Sequence, residues 1–434
     1  MELLFRDVTV VTLDRNCSIL RNAYVGVDAG KVVWLDKSAP DDPAGRSIDG
    51  RGKVLMPGLI NAHTHLPMTL LRGYADDTDL HHWLNDHIFP AEARLDDRAV
   101  RAGTQLALAE CVASGTVSVT DMYDHIEAIA ACVAESGIKA NISRAAMCPD
   151  GRFDADTDPR VRETLDLIGG WHGYDNGRII VEASIHAEYT SPPALWETVA
   201  ALAREHGLGM HVHVSETLEE HEGCLGRYGL TPTAVLDRYG VFGTRTTAAH
   251  GVWLTDDDMD ILAARGVSVA HNPVSNLKLA SGVAPVTDML SRGVNVALGT
   301  DGAASNNTLD LWEEIKTACL LAKNLGGTPN RFTAPQALAL AVTNGARAQG
   351  RAEQTGQIAA GYDADLILID FDKPHLTPCQ NPLSHLAYAV RGGDVVMTLV
   401  RGRVLYENGT FPTIDVERAK YEAVHYAVPL ILNV

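Results

Sequence analysis

The segment Asn61-Ala62-His63-Thr64-His65 sets two imidazoles two residues apart. On an extended strand the side chains at i and i+2 face the same way, so His63 and His65 form a ready pair of metal ligands. The pattern returns at His211-Val212-His213, three residues before Glu216, and single candidates follow at His250, His271 and Asp301. A lone histidine is more often a surface or packed core residue, and one His-x-His carries little by itself. Two such pairs joined by further histidines and an aspartate, each closing a β-type run, describe a metal centre.

The elements that must carry these residues alternate along the middle of the chain. Short β-type runs occur at 54–62, 116–121, 140–145, 179–185, 209–214, 246–250, 267–271 and 294–300, with alanine-rich stretches of helical length between them, among them 97–113, 192–206 and 256–265. Eight strands separated mainly by helices are what a parallel (β/α)8 TIM-type barrel requires, and reacting groups in such a barrel gather at the C-terminal strand ends. His65, His213, His250, His271 and Asp301 all fall at such ends. Both termini read instead as short strands, which predicts a small composite β-sandwich domain built from 1–56 and 361–415 around a barrel at 57–360. A helical segment, 416–434, is expected to dock outside.

The 434 residues hold 36 Lys+Arg against 55 Asp+Glu, a net charge of −19 with 46% hydrophobic residues. That balance opposes binding to a phosphate backbone and makes a small molecule the expected partner, with no nucleic acid and no membrane. The N-terminus has no basic stretch leading into an apolar one, and no apolar run is long enough to span a bilayer. The seven cysteines are scattered and never spaced C-x-x-C, which favours free thiols in the cytoplasm and disfavours a zinc finger. A cytidine-deaminase-type zinc site is excluded too, because His186-Ala187-Glu188 is followed by no C-x-x-C. Assembly into a homo-oligomer is compatible with the composition and not specified by it.

Met56-Pro57-Gly58-Leu59-Ile60-Asn61-Ala62-His63-Thr64-His65 resembles the opening motif of the amidohydrolase superfamily. The resemblance continues through Ala249-His250, His271-Asn272-Pro273-Val274-Ser275-Asn276, Gly299-Thr300-Asp301-Gly302 and Gly361-Tyr362-Asp363-Ala364-Asp365-Leu366, and so covers nearly the whole chain. Within the superfamily, Trp83 to Glu92 and Thr300 to Asn307 are most similar to the 5′-methylthioadenosine/S-adenosylhomocysteine deaminases. The resemblance implies one divalent metal per chain on His63, His65, His213 and Asp301. Zinc is the first choice, with Fe2+ or Mn2+ as alternatives. His211 is read as a barrel-interior residue, because the spacing to Glu216 matches the family through His213. The fourth strand, Ile180-Val181-Glu182-Ala183-Ser184-Ile185-His186, offers no lysine to bridge two metals, and Glu182 lies deeper than His186 on the same side, so a single ion is expected.

A zinc ion lowers the pKa of bound water from 15.7 to about 7. By the resemblance Glu216 moves a proton from that water to a purine ring nitrogen, His250 stabilises charge, and Asp301 both ligates and accepts a hydrogen bond. Glu92 would accept both ribose hydroxyls, since a carboxylate offers two acceptor oxygens. Trp83 would cover the apolar end of the pocket, and His186 and Arg160 would contact substrate. The expected reaction is hydrolytic deamination of an adenosine derivative: 5′-methylthioadenosine, S-adenosylhomocysteine, 5′-deoxyadenosine or adenosine. The chain departs from the family at Met147-Cys148-Pro149, where an arginine for the carboxylate of S-adenosylhomocysteine is expected, and this shifts the reading toward the other three. The alternatives are an aminohydrolase for another heteroaromatic (guanine, pterin or triazine) and an inactive metal-binding barrel. His271 is as well suited to a structural role at the rim as to a catalytic one.

Overall fold

The computed structural model describes residues 1–41 and 44–433, and among these described residues sixteen strands form two sheets. The N-terminal strands are β1 (Leu3–Val11), β2 (Ile19–Asp28), β3 (Lys31–Asp36), β4 (Arg46–Asp49) and β5 (Lys53–Pro57). The central eight are β6 (Leu59–Thr64), β7 (Thr116–Tyr123), β8 (Lys139–Arg144), β9 (Ile179–Ser184), β10 (Met210–Val214), β11 (Thr246–His250), β12 (Ser268–His271) and β13 (Asn295–Leu298). The chain returns through β14 (Leu366–Asp370), β15 (Val395–Val400) and β16 (Arg403–Glu407).

Strands β6 to β13 pair in sequence order, all parallel. Seven of them match expected runs to within two residues, whereas the expected run 54–62 is divided between β5 of the terminal sheet and β6 of the barrel. The helices Asp97–Ala113, Pro193–His206 and Asp256–Arg265 lie within a residue of expectation. Their starts are chemically marked: the Asp96 side chain accepts from Ala99 N–H, and Thr255 with Asp258 forms a capping box. The seam between β13 and β6 is closed by single contacts. Asp301 N–H donates to the His63 carbonyl at 3.1 Å, and Asn61 exchanges two bonds with Thr300, at 2.7 and 3.1 Å.

The terminal strands join as one mixed sheet in the order β16-β15-β14-β5-β1-β2-β3, with β4 on β1. The expected sandwich is therefore one continuous hydrogen-bonded path. β1 makes this continuity: its first half pairs with β4 and its second with β5, and register shifts against β2 lie between. Phe5, Val8, Val25, Leu55, Leu366, Leu368 and Leu399 gather in a core of their own. Strand alternation then decides which core each residue joins. In β14, Leu366 and Leu368 face this core, while Ile367 and Ile369 join the barrel's. Burial on both faces explains the unbroken apolar run that marked this strand in the sequence. Fully buried Lys139, on β8, bonds Asp363 at 2.6 Å and also Asp365, tying barrel to sheet.

Gly58 alone separates β5 from β6, and a Cβ there would lie 2.1 Å from Val117 Cγ1. The C-terminal helix Val416–Glu422 and the turn that follows it, Ala423–Ala427, lie against the Asp97–Ala113 helix, where Arg98 meets Glu422 at 2.8 Å and covers the Tyr426 ring; Val428–Leu432 packs on Phe89–Glu92. Among the described residues no helix is long and apolar enough to cross a membrane.

Candidate active site and metal centre

Every side chain of the candidate centre projects from the C-terminal rim of the barrel. β6 delivers His63 and His65, and β10 delivers His211 and His213. His250 ends β11, and Asp301 follows β13. Three of these ends turn abruptly: Ser215 (φ 50°), His250 (φ 75°) and Asp301 (φ 61°) adopt the left-handed region, which residues with a side chain rarely occupy. Each such turn stores about 1–3 kcal/mol of strain and re-aims the chain where a straight strand would carry it out of the barrel. Gly299 makes the last approach feasible. A Cβ there would lie 2.4 Å from Asn272 Oδ1 and 2.8 Å from His63 Cβ.

The Nε2 atoms of His63 and His65 lie 3.3 and 3.2 Å from Asp301 Oδ1, and His213 Nε2 lies 3.4 Å from His65 Nε2. Ligand atoms of His63, His65 and His213 fall within 4.8 Å of one another, as do those of His63, His250 and Asp301. His65 Nδ1–H donates to the Met122 carbonyl at 2.7 Å, and His213 Nδ1–H to the His186 carbonyl at 2.8 Å. These bonds place a proton on each Nδ1 and leave the two Nε2 atoms facing each other, where a proton or a metal cation can lie between them. His63 Nε2 is buried without a hydrogen-bond partner, while its Nδ1 meets His211 Nε2 at 3.0 Å. Ser275 and Ser305 hydroxyls hold the other Asp301 oxygen at 2.7 and 2.8 Å.

Charge gives the same answer as geometry. Burial drives His63 down to about 3. Burial opposes the charge on His65 as well, but hydrogen bonding to Asp301 overrides it and lifts that ring to about 9. Asp301, despite burial, is held well below the usual carboxylate range by His63 and His65. The protein groups alone thus pair an ionised Asp301 with a protonated His65, a positive charge whose place a divalent ion would take. Three imidazole nitrogens and a carboxylate are a donor set suited to a divalent ion such as zinc.

Above the centre lies an open cleft lined by Trp83, Glu92, His186, Glu216 and His250. Glu216 and His250 form one wall, with Glu216 Oε2 3.6 Å from His250 Nε2. The His250 Nδ1–H donates to Asn276 Oδ1 at 2.9 Å, which leaves Nε2 facing Glu216. Burial raises the Glu216 pKa, so this carboxyl takes up and releases a proton closer to neutrality than an exposed one. On the opposite wall half-buried Glu92 accepts a hydrogen bond from Tyr123 Oη. Burial pushes Glu92 up to about 7 against the lowering effect of that bond. Trp83 and His186 line the same cleft. Burial drives His186 down to about 3, so the ring is neutral.

The amidohydrolase family model matches residues 54–405. The chain belongs to the amidohydrolase family. A 5-methylthioadenosine/S-adenosylhomocysteine deaminase from Dictyoglomus thermophilum is 42% identical over 431 residues, covering 99% of both chains. A 5′-deoxyadenosine deaminase from Methanosarcina acetivorans is also 42% identical, covering 99% of this chain and 98% of its own. Among solved structures, an adenosine deaminase from Xanthomonas campestris with bound zinc superposes with a TM-score of 0.95 at 34% identity, over 100% of this chain and 99% of that one.

In this amidohydrolase the structure brings His63, His65, His213, His250, Glu216 and Asp301 to one point, with Trp83, Glu92 and His186 around the cleft above it. Arg160 is placed differently. Its guanidinium is engaged by Asp158, at 2.8 Å through Nε, and by the Met147 carbonyl, so Met147 and not Arg160 faces the cleft. Glu182 lies at the barrel base, held by Asn141 and Arg245 at 2.7 Å each. His271 is buried outside the cleft lining. Sequence reasoning did not single out Tyr123 or Glu220, and it met Ser275, Asn276 and Ser305 only inside family motifs, with no role given to them. Glu220 carried a local signal of its own, since Thr217-Leu218-Glu219-Glu220 has the form of a helix capping box.

Proposed function

We propose that this amidohydrolase is a single-metal deaminase of adenosine-type nucleosides, converting each to its inosine analogue and ammonia. Water adds to the purine carbon bearing the amine, the carbon–nitrogen bond breaks, and ammonia leaves carrying one proton of that water while the other stays on the ring nitrogen of the inosine analogue. His63, His65, His213 and Asp301 would hold the divalent ion, zinc before Fe2+ or Mn2+. When bound, the ion supplies Lewis acidity that makes water a nucleophile near neutral pH. Glu216 moves the proton from water to the ring nitrogen beside the reacting carbon, for which a carboxyl raised by burial is suited. His250, oriented by Asn276, stabilises the charge that develops at the attacked carbon. Glu92 accepts the ribose hydroxyls, Trp83 covers the apolar end, and His186 contacts substrate as a neutral ring.

The observation that carries this reading is the pairing of Glu216 with His250 beside four convergent metal donors, facing a second carboxylate across one cleft. The full-length relatives named for adenosine-derived substrates favour a nucleoside over another heteroaromatic. The engagement of Arg160 by Asp158 favours 5′-methylthioadenosine, 5′-deoxyadenosine and adenosine over S-adenosylhomocysteine. A panel of these four with guanine, a pterin and a triazine, followed by ammonia release, tests the assignment. Turnover of the nucleosides is expected. Turnover confined to the free heteroaromatics would replace the nucleoside reading, and no turnover in metal-replete protein would mean an inactive barrel.

A further inference from the structure

Glu220 is a buried carboxylate, 7% exposed, whose two oxygens both point backward along the chain. Oε1 accepts the Ser215 N–H at 2.9 Å and Oε2 accepts the Glu216 N–H at 2.6 Å. Its own N–H donates to Thr217 Oγ1 at 3.1 Å, the N-cap bond of the helix Leu218–Tyr228. In an ordinary capping box the third helical residue returns its side chain to the N-cap N–H. Here the carboxylate reaches one and two residues further back, onto the turn itself.

That turn has few other anchors and an awkward shape. Ser215 adopts φ 50°, a conformation that a residue with a side chain holds only where its surroundings enforce it. The Ser215 hydroxyl has no hydrogen-bond partner, while its carbonyl accepts from Val252 and Trp253 N–H at 3.0 and 2.9 Å. The N–H side of the turn is thus held by Glu220 and the carbonyl side by the loop after β11. Between these clamps the chain presents the Glu216 side chain 3.6 Å from His250. A carboxylate accepting from two consecutive main-chain N–H groups fixes the peptide plane that sets the Glu216 Cα–Cβ direction.

We infer that Glu220 is a positioning residue for the reaction, pinning the turn after β10 so that the Glu216 carboxyl points at the site of proton transfer. This rests on the proposed role of Glu216, and the two stand or fall by different measurements. Glu220→Gln keeps the shape but sets an amide N–H2 against one of the two backbone donors. Glu220→Ala removes both acceptors and leaves room for water. Each is made in the wild-type and Glu216→Gln backgrounds, with bound metal, melting temperature, kcat and KM measured.

In the wild-type background, kcat is expected to fall about 10- to 100-fold, as for a displaced proton shuttle, with KM within about threefold and metal retained. In the Glu216→Gln background the same changes are expected to lower kcat by no more than about twofold, because the group they aim is already disabled. Thr217→Ala, which loosens the helix cap without touching the two acceptor bonds, should lower the melting temperature with little change in kcat. Equal fold losses in both backgrounds, or a folded Glu220 variant with wild-type kcat, would overturn the positioning role. If Glu216→Gln alone retains full turnover, the failure lies with the proton shuttle. If Glu220→Gln is unstable, the Glu220→Ala pair carries the comparison.

Discussion

On the proposed role of Glu92 in holding the ribose, its charge should govern sugar recognition, and its raised pKa makes that charge adjustable. An ionised carboxylate accepts two hydrogen bonds from a ribose diol, whereas the protonated form gives up acceptor capacity and adds a donor. Hydrogen bonds to charged groups contribute ~1.5–3 kcal/mol each, so even one such bond should favour a diol over a 2′,3′-dideoxy sugar by tenfold or more. With Glu92 at about 7, roughly nine-tenths of it is ionised at pH 8 and roughly one-tenth at pH 6. The ratio of kcat/KM for a ribonucleoside over its dideoxy analogue should therefore fall about fivefold between those values for a tenfold preference, and approach tenfold for a larger one. Because kcat/KM reports the free enzyme, and because Glu216 and the metal centre act on both substrates alike, their titrations cancel from the ratio. Tyr123→Phe removes the hydrogen bond that lowers the Glu92 pKa, so it should shift the fall in the ratio to higher pH. Glu92→Gln should abolish the pH dependence and most of the preference. A wild-type ratio near one, or a large ratio flat from pH 6 to 8, would refute the diol clamp and with it the main argument for a nucleoside.

Metal analysis of the purified protein should find about one equivalent of divalent ion per chain, removable by chelator with loss of activity; two tightly held equivalents would reject the mononuclear centre. Glu216→Gln should keep its metal and lose ~10² or more in turnover, whereas His63→Ala should lose both metal and activity. Gly299→Ala, which drives a methyl group to within 2.4 Å of Asn272 Oδ1 and 2.8 Å of His63 Cβ, should weaken metal retention in a protein that still folds. Wild-type metal affinity in that variant would show that the seam can relax.

The barrel was legible in the sequence because its strands are short β-type runs set between helices with marked ends, and the convergence of the histidines because imidazoles two apart on a strand share a side. The path of the terminal sheet was less legible. Strand signals at both ends of the chain call for a common domain, but that β1 divides its pairing between β4 and β5 is set by register shifts that composition does not encode. Tyr123 and Asn276 escaped for a related reason: each acts through a partner distant in sequence, Glu92 and His250. Arg160 shows the converse. Its spacing suited a substrate contact, yet Asp158, two residues earlier, takes up its guanidinium. Residue type told what each side chain could do, and only packing told which neighbour it would do it with.

The closure of the barrel at His63 and Asp301 has a consequence for how the protein is made. The contacts across that seam join residues 237 and 239 positions apart, and the pairing of β5 with β14 spans a still longer stretch. Pairings this distant form late, because the loop they close must be ordered before they contribute anything. On the ribosome, β6 to β12 can stack as each emerges, but the carboxylate of the centre arrives only with the last barrel strand. A metal ion that binds all four donors therefore binds only a chain whose first and last barrel strands have met. It acts as a clasp on a completed ring, withdrawing finished molecules from the pool of open ones by mass action.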